Sequence, residues 1–121
     1  MLALDEVLSD FAAYAEYGAD TTLTVGSRST DGETPLHWMS ALGDCAAIGL
    51  LVSAGADLDA RDKQGNAPIH AACASKQVMA AKALIDAGAN FRLENASGLT
   101  ALDISKESGY QPCIELLVRL S

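Results

Sequence analysis

Apolar residues in this chain fall at helical spacing in short runs, and glycines with polar clusters break the runs at regular intervals. Leu4, Val7, Leu8, Phe11, Ala12 and Ala15 follow the i, i+3, i+4 pattern and predict one amphipathic helix, mostly within residues 3–17. Further along, Thr34 stands before Pro35. A threonine caps a helix start well, and proline at the first helical position loses no useful N–H. The pattern predicts a helix from Pro35 to Leu42 that stops at Gly43, a residue suited to a left-handed cap. A second helix is predicted on Ala47, Ile48, Leu50 and Leu51, ending at Gly55. Corresponding stripes follow at Ala80, Ala81, Ala83 and Leu84, and at Cys113, Ile114, Leu116 and Leu117. Pro112 lies near the start of the last of these, where proline is tolerated.

These elements repeat. Gly32, Gly65 and Gly98 are 33 residues apart, and two residues after each come Thr34-Pro35-Leu36-His37, Ala67-Pro68-Ile69-His70 and Thr100-Ala101-Leu102-Asp103. Gly55-Ala56-Asp57 and Gly88-Ala89-Asn90 keep the same interval, as do Gly43, Lys76 and Gly109. With Gly18, whose Gly18-Ala19-Asp20 imitates Gly55-Ala56-Asp57, eight of the ten glycines occupy such frame positions, so the period is a property of the chain rather than of one motif. A single unit of this kind cannot bury its own apolar stripe; its neighbours must cover it. The chain resembles the ankyrin repeat over roughly residues 29–121. The resemblance implies an all-α solenoid of stacked antiparallel helix pairs joined by β-turn fingers. One domain, 1–121, is expected: a degenerate capping half repeat with a long finger at 1–28, then repeats at 29–61, 62–94 and 95–121. The frame slips once. Gly18 to Gly32 takes 14 residues where the later fingers take 10, and the extra length is rich in small polar residues. It is either a solvated loop or a binding loop carried on a rigid scaffold.

Half of the 121 residues are apolar and a fifth are charged, which argues against intrinsic disorder. Sixteen acids against eight bases give a net charge of −8, a surface that repels a phosphate backbone, so no nucleic-acid partner is expected. The charge is uneven. Residues 1–60 carry ten acids and only Arg28 as a base, net −9, whereas residues 61–121 are net +1. In a linear stack, sequence order is spatial order, so one end should be strongly acidic, either for solubility or to steer a basic partner. The longest uncharged apolar stretch, Cys45 to Ala56, is too short to cross a bilayer, and the N-terminus has no basic segment of the signal-peptide kind. Three cysteines, Cys45, Cys73 and Cys113, lack paired spacing; they are expected as small buried hydrophobes in a reducing, cytoplasmic setting.

Catalytic chemistry finds no foothold. There is no nucleophile elbow and no phosphate loop, and the acids have the spacing of solvated surfaces, so no enzyme and no cofactor are expected. His37 and His70 are the only histidines. The ankyrin resemblance implies that they hydrogen-bond adjoining turns. As joint metal ligands they fail on distance, because stacked helices stand about 8–10 Å apart and zinc holds its donors at about 2 Å. His70 and Cys73 offer two ligands at most, and no metal site is expected.

The resemblance also implies where a partner docks, on the concave side formed by finger tips and first helices. Residue by residue this gives Asp31, Glu33, Trp38, Ala41 and Leu42, then Asp59, Arg61, Lys63, Gln64 and Asn66, then Arg92 and Leu99. Trp38, the only tryptophan, is either an interface anchor or core packing. The expected function is non-enzymatic protein binding by a free monomer, inhibiting or neutralising a partner in the manner of an immunity protein, with a basic partner favoured by the charge. A structural adaptor within a larger cytosolic assembly is the alternative.

Overall fold

A computed structural model describes residues 32–120 of the chain. The expected N-terminal helix, the long first finger and Asp31 lie outside the described residues. Within them the chain forms three helix pairs: α1 (Pro35–Leu42) with α2 (Cys45–Ser53), α3 (Pro68–Ala74) with α4 (Val78–Asp86), and α5 (Ala101–Ser108) with α6 (Gln111–Leu120). Among the described residues there is no strand.

The helix starts follow from local chemistry. Thr34 Oγ1 accepts from the His37 N–H at 3.4 Å, and Pro35 fills the first helical position. Thr100 does the same for Asp103 at 3.2 Å. Ala67 has no oxygen to offer, so the second repeat begins on the reverse bond alone, the Ala67 N–H donating to His70 Nδ1 at 3.0 Å. Asp44 caps α2 through Ala47 N–H. Gly43 and Gly109 end α1 and α5 in the left-handed region, at φ +77° and +70°. Lys76 occupies the same place in the second repeat and adopts φ +59° without glycine's freedom.

The core is a set of layers. First helices pack on first helices along the row α1–α3–α5, second helices along α2–α4–α6, and each helix on its own partner. Leu36 and Ile69 fill the first row, and Ile48, Leu51 and Leu84 the second, all essentially sealed from solvent. The third, fourth and seventh positions of the second helices carry this burial: Ala47, Ile48 and Leu51, then Ala80, Ala81 and Leu84, then Cys113 and Leu117 with Ile114 half-buried.

That register corrects one expectation. Cys45 is exposed, because it is the first residue of α2, two positions ahead of the first buried one. Cys73 and Cys113 are buried beside each other, and burial pushes the Cys73 thiol up to about 12 and raises that of Cys113 as well. Thiolate is the reactive form, so both are chemically quiet. A chromogenic disulfide reagent is expected to titrate Cys45 alone in the native protein and the other two only after denaturation. Rapid reaction of a second native thiol would show that Cys73 and Cys113 are not sealed in the core as described.

Candidate functional site

Two segments, 54–67 and 87–100, leave the helices as fingers, and side-chain oxygens shape them. Asp62 Oδ1 accepts the N–H groups of Gln64 and Asn66, each at 2.9 Å. In the next finger Asn95 Oδ1 accepts those of Ser97 and Leu99, at 2.9 and 3.0 Å. Asp57 and Asn90 are a second matched pair, taking the N–H of Asp59 at 3.0 Å and of Arg92 at 3.1 Å. This is the turn that Asp and Asn form with their own backbone two residues on.

The histidines fasten one finger to the next. Thr34 N–H donates to His37 Nδ1 at 3.1 Å, which leaves the ring proton on Nε2, and Nε2 donates to the Asn66 carbonyl at 2.7 Å. His70 repeats the arrangement: Ala67 N–H to Nδ1 at 3.0 Å, Nε2–H to the Leu99 carbonyl at 3.1 Å. Both nitrogens of each ring are engaged, in agreement with the structural role the sequence implies. Burial holds the His70 pKa below the ordinary 6.5, partly offset by its bond to Leu99. Protonation would replace the Nδ1 acceptor with a donor facing a donor. Above pH about 6.5 the ring is neutral folded and unfolded, and its contribution is complete. As the pH falls below that value the unfolded chain binds the proton first, and stability is lost down through the folded pKa. Melting temperature is therefore expected to drop between about pH 7 and pH 5, and the drop should shrink in His70→Gln. A pH-independent melt in that window would remove the buried neutral histidine from the account.

The structure separates the candidate contact residues into two groups. Asn66, Leu99 and Asp59 are tied into the stack. Asn66 Oδ1 accepts from Asn95 Nδ2 at 3.0 Å while its carbonyl takes the His37 proton, and Asp59 Oδ1 accepts the Asn90 N–H at 2.9 Å. Leu99 is half-buried, with its N–H and C=O both bonded. Arg61, Lys63, Gln64 and Arg92 are exposed, and the Arg92 guanidinium lies 5.5 Å from the centre of the Phe91 ring. On α1 the helical repeat puts Trp38, Ala41 and Leu42 on the one face that is not buried: Trp38 and Ala41 are half-buried and Leu42 is 56% exposed. The corresponding residues of α3 are Ala71, Ala74 and Ser75, and those of α5 are Ile104, Glu107 and Ser108.

Between the residues just before α1 and the 54–67 finger, Glu33, Asp62, Lys63 and Gln64 line a polar groove of about 240 Å³. Three of the four were candidates from sequence. Asp62 was missed, although its spacing from Gln64 and Asn66 marks it as the residue that shapes the finger. Among the described residues no three His, Cys, Asp or Glu side chains cluster to hold a metal ion, and no helix is long and apolar enough to cross a membrane.

A family model described as ankyrin repeats (3 copies) matches residues 9–95 and 36–121. Ankyrin repeats are protein–protein interaction modules. A search of curated proteins finds no match. With capped helix pairs at a fixed interval, histidines bridging successive fingers and a family match along most of its length, the chain belongs to the ankyrin-repeat family.

Proposed function

We propose that this protein binds a protein partner across the open face of the first-helix row and the adjoining finger tips, and that occupancy blocks the partner's activity. The observation that carries the reading is Leu42, a large apolar side chain more than half exposed beside Trp38 and Ala41. Large apolar and aromatic side chains on a rigid scaffold are the usual anchors of an interface. Along the sequence the described acids Glu33, Asp44, Asp57 and Asp59 precede the first described base, Arg61, which supports a basic partner approaching the first repeat. Arg61, Lys63, Gln64 and Arg92 supply polar contacts at the rim, while Asn66, Leu99 and Asp59 keep the fingers in place. Three free cysteines favour a reducing, cytoplasmic setting.

The test uses a partner captured from the native cytosol and then purified. Leu42→Glu and Trp38→Ala are each expected to cost at least about 2 kcal/mol of binding, mainly through faster dissociation. Leu42→Glu should leave the melting temperature unchanged, because the side chain is already in solvent. Glu33→Lys should slow association at low salt and flatten its salt dependence. Full affinity in folded Leu42→Glu would move the site off α1. Loss of the partner's activity on complex formation supports inhibition; unchanged activity in the complex makes the protein an adaptor.

A further inference from the structure

Glu33 and Asn66 hold one place in the repeat, and so do Asp62 and Asn95, the members of each pair 33 residues apart. In the later interval the two amides are joined. Asn95 Nδ2 donates to Asn66 Oδ1 at 3.0 Å, and this bond spans the gap between the 54–67 and 87–100 fingers. In the earlier interval the same two places are Glu33 and Asp62, and both line the polar groove of about 240 Å³. The backbones stand comparably close in both intervals. A Cβ added at Gly32 would meet the Lys63 nitrogen at 3.0 Å, and one at Gly65 the Ala96 nitrogen at 2.6 Å. The groove therefore comes from the side chains and not from a wider spacing of the chain.

An amide carries a donor and an acceptor, whereas an ionised carboxylate only accepts. Glu33 and Asp62 cannot form the bond that Asn66 and Asn95 share. Asp62 commits Oδ1 to the Gln64 and Asn66 N–H groups of its own finger, and its Oδ2 takes no bond from a described residue. Gln64 is turned along the same finger, its Oε1 accepting from Asn66 Nδ2 at 3.4 Å. The exposed Lys63 pairs with neither carboxylate, and its stem lies beside Gly32, with Cγ 3.3 Å from where a Cβ would stand. No described side chain bridges the two carboxylates as the amides bridge the later gap.

We propose that an arginine side chain of the protein partner fills this groove, its guanidinium donating to Glu33 and to Asp62 Oδ2. The inference rests on the reading of the chain as a protein-binding module and names the group of the partner that enters beside the 54–67 finger. A guanidinium presents five N–H donors in a fixed planar fork and stays charged, so it serves two carboxylates at once. The groove has room for a side chain rather than for a single water, whose share of the liquid is about 30 Å³. A metal ion matches less well. Among the described residues no three His, Cys, Asp or Glu side chains cluster, and Lys63 on the groove wall opposes a doubly charged ion. The next gap is already spanned by Asn66 and Asn95, so the subsite belongs to the first junction alone and sets the partner's register along the fingers.

The probes are N-acetylargininamide and its uncharged analogue N-acetylcitrullinamide, titrated into the isotope-labelled full chain and followed in amide NMR spectra. The arginine probe should shift the amides of Glu33, Asp62, Lys63 and Gln64 saturably, and the citrulline probe should bind at least about tenfold more weakly. The double variant Glu33→Asn with Asp62→Asn should stay folded, because Asn95 shapes its finger with the same two bonds that Asp62 makes. Its new amide pair should close the gap and weaken arginine binding at least about tenfold. Glu33→Gln keeps the shape, removes one charge and should weaken binding at least about threefold. None of these titrations uses the captured partner, so their failure would leave docking on α1 standing, which Leu42→Glu reads separately. No saturable shift at these amides, an equal response to the citrulline probe, or wild-type arginine binding in either folded variant would each overturn the proposal.

Discussion

Leu84→Ala is expected to destabilise the protein by about 2–5 kcal/mol, the cost of deleting buried methyl groups and leaving a cavity. Leu84 is 0% exposed on α4, the middle helix of the second row, which packs on α2 on one side and α6 on the other. One truncation therefore loosens two interfaces. In a repeat protein those nearest-neighbour contacts supply most of the stability. A domain of this size has about 5–15 kcal/mol in total, so the variant should unfold at a much lower denaturant concentration, and its transition should broaden if the stack separates in steps. Leu51→Ala, on α2, is expected to behave similarly. Should Leu84→Ala melt within a degree of wild type, the layered core described above would be wrong.

The second large effect separates two causes that usually act together. Gly65 and Gly98 hold the same place in successive fingers, with φ of +77° and +78°. Alanine at either position incurs the left-handed penalty of about 1–2 kcal/mol. Only at Gly65 would the new Cβ also press on a neighbour, the backbone nitrogen of Ala96 at 2.6 Å. That nitrogen is committed, since Ala96 N–H donates to the Gln64 carbonyl at 3.0 Å and links the two fingers. Relief of the clash requires the fingers to part. Gly98→Ala should then cost about 1–2 kcal/mol, and Gly65→Ala about 0.5–1.5 kcal/mol more, the net worth of the inter-finger hydrogen bond that is lost. Equal losses in urea denaturation would mean that the fingers do not pack as closely as they appear here.

The helices were legible in the sequence because their signals are local. Thr34-Pro35 and Gly43 bound α1 where the structure has it, and the fixed interval carried the same reading to α3 and α5. Cys45 was misplaced because an apolar residue at a helix start looks the same whether it faces inward or outward; only the register of Ala47, Ile48 and Leu51 decides. The fingers were harder. His37 meets Asn66 across 29 residues of sequence and Asp59 meets Asn90 across 31, and no local pattern states which polar atoms such distances bring together. The sequence therefore shows Asn66, Leu99 and Asp59 only as contact candidates alongside Arg61 and Lys63, and the scaffold bonds of their polar groups are visible in the structure alone. Trp38 stayed open between core and interface for a related reason. It is half-buried, with one side against the core and one toward solvent, so neither alternative describes all of it.

The paired use of Asp62 and Asn95 has a consequence for how such a surface can change over time. Each shapes its finger with one side-chain oxygen accepting two backbone N–H groups at 2.9–3.0 Å, and the geometry is the same whether that oxygen belongs to a carboxylate or an amide. Asp57 and Asn90 show the same indifference. At Asp57 and Asn90 a finger can thus gain or lose a negative charge by a single Asp–Asn exchange while its backbone stays where it was, whereas at Asn95 the exchange would also remove the Nδ2–H donated to Asn66 Oδ1. Electrostatic character and architecture are inherited separately at these positions, and the fingers can be re-tuned toward a differently charged partner without passing through a misfolded intermediate.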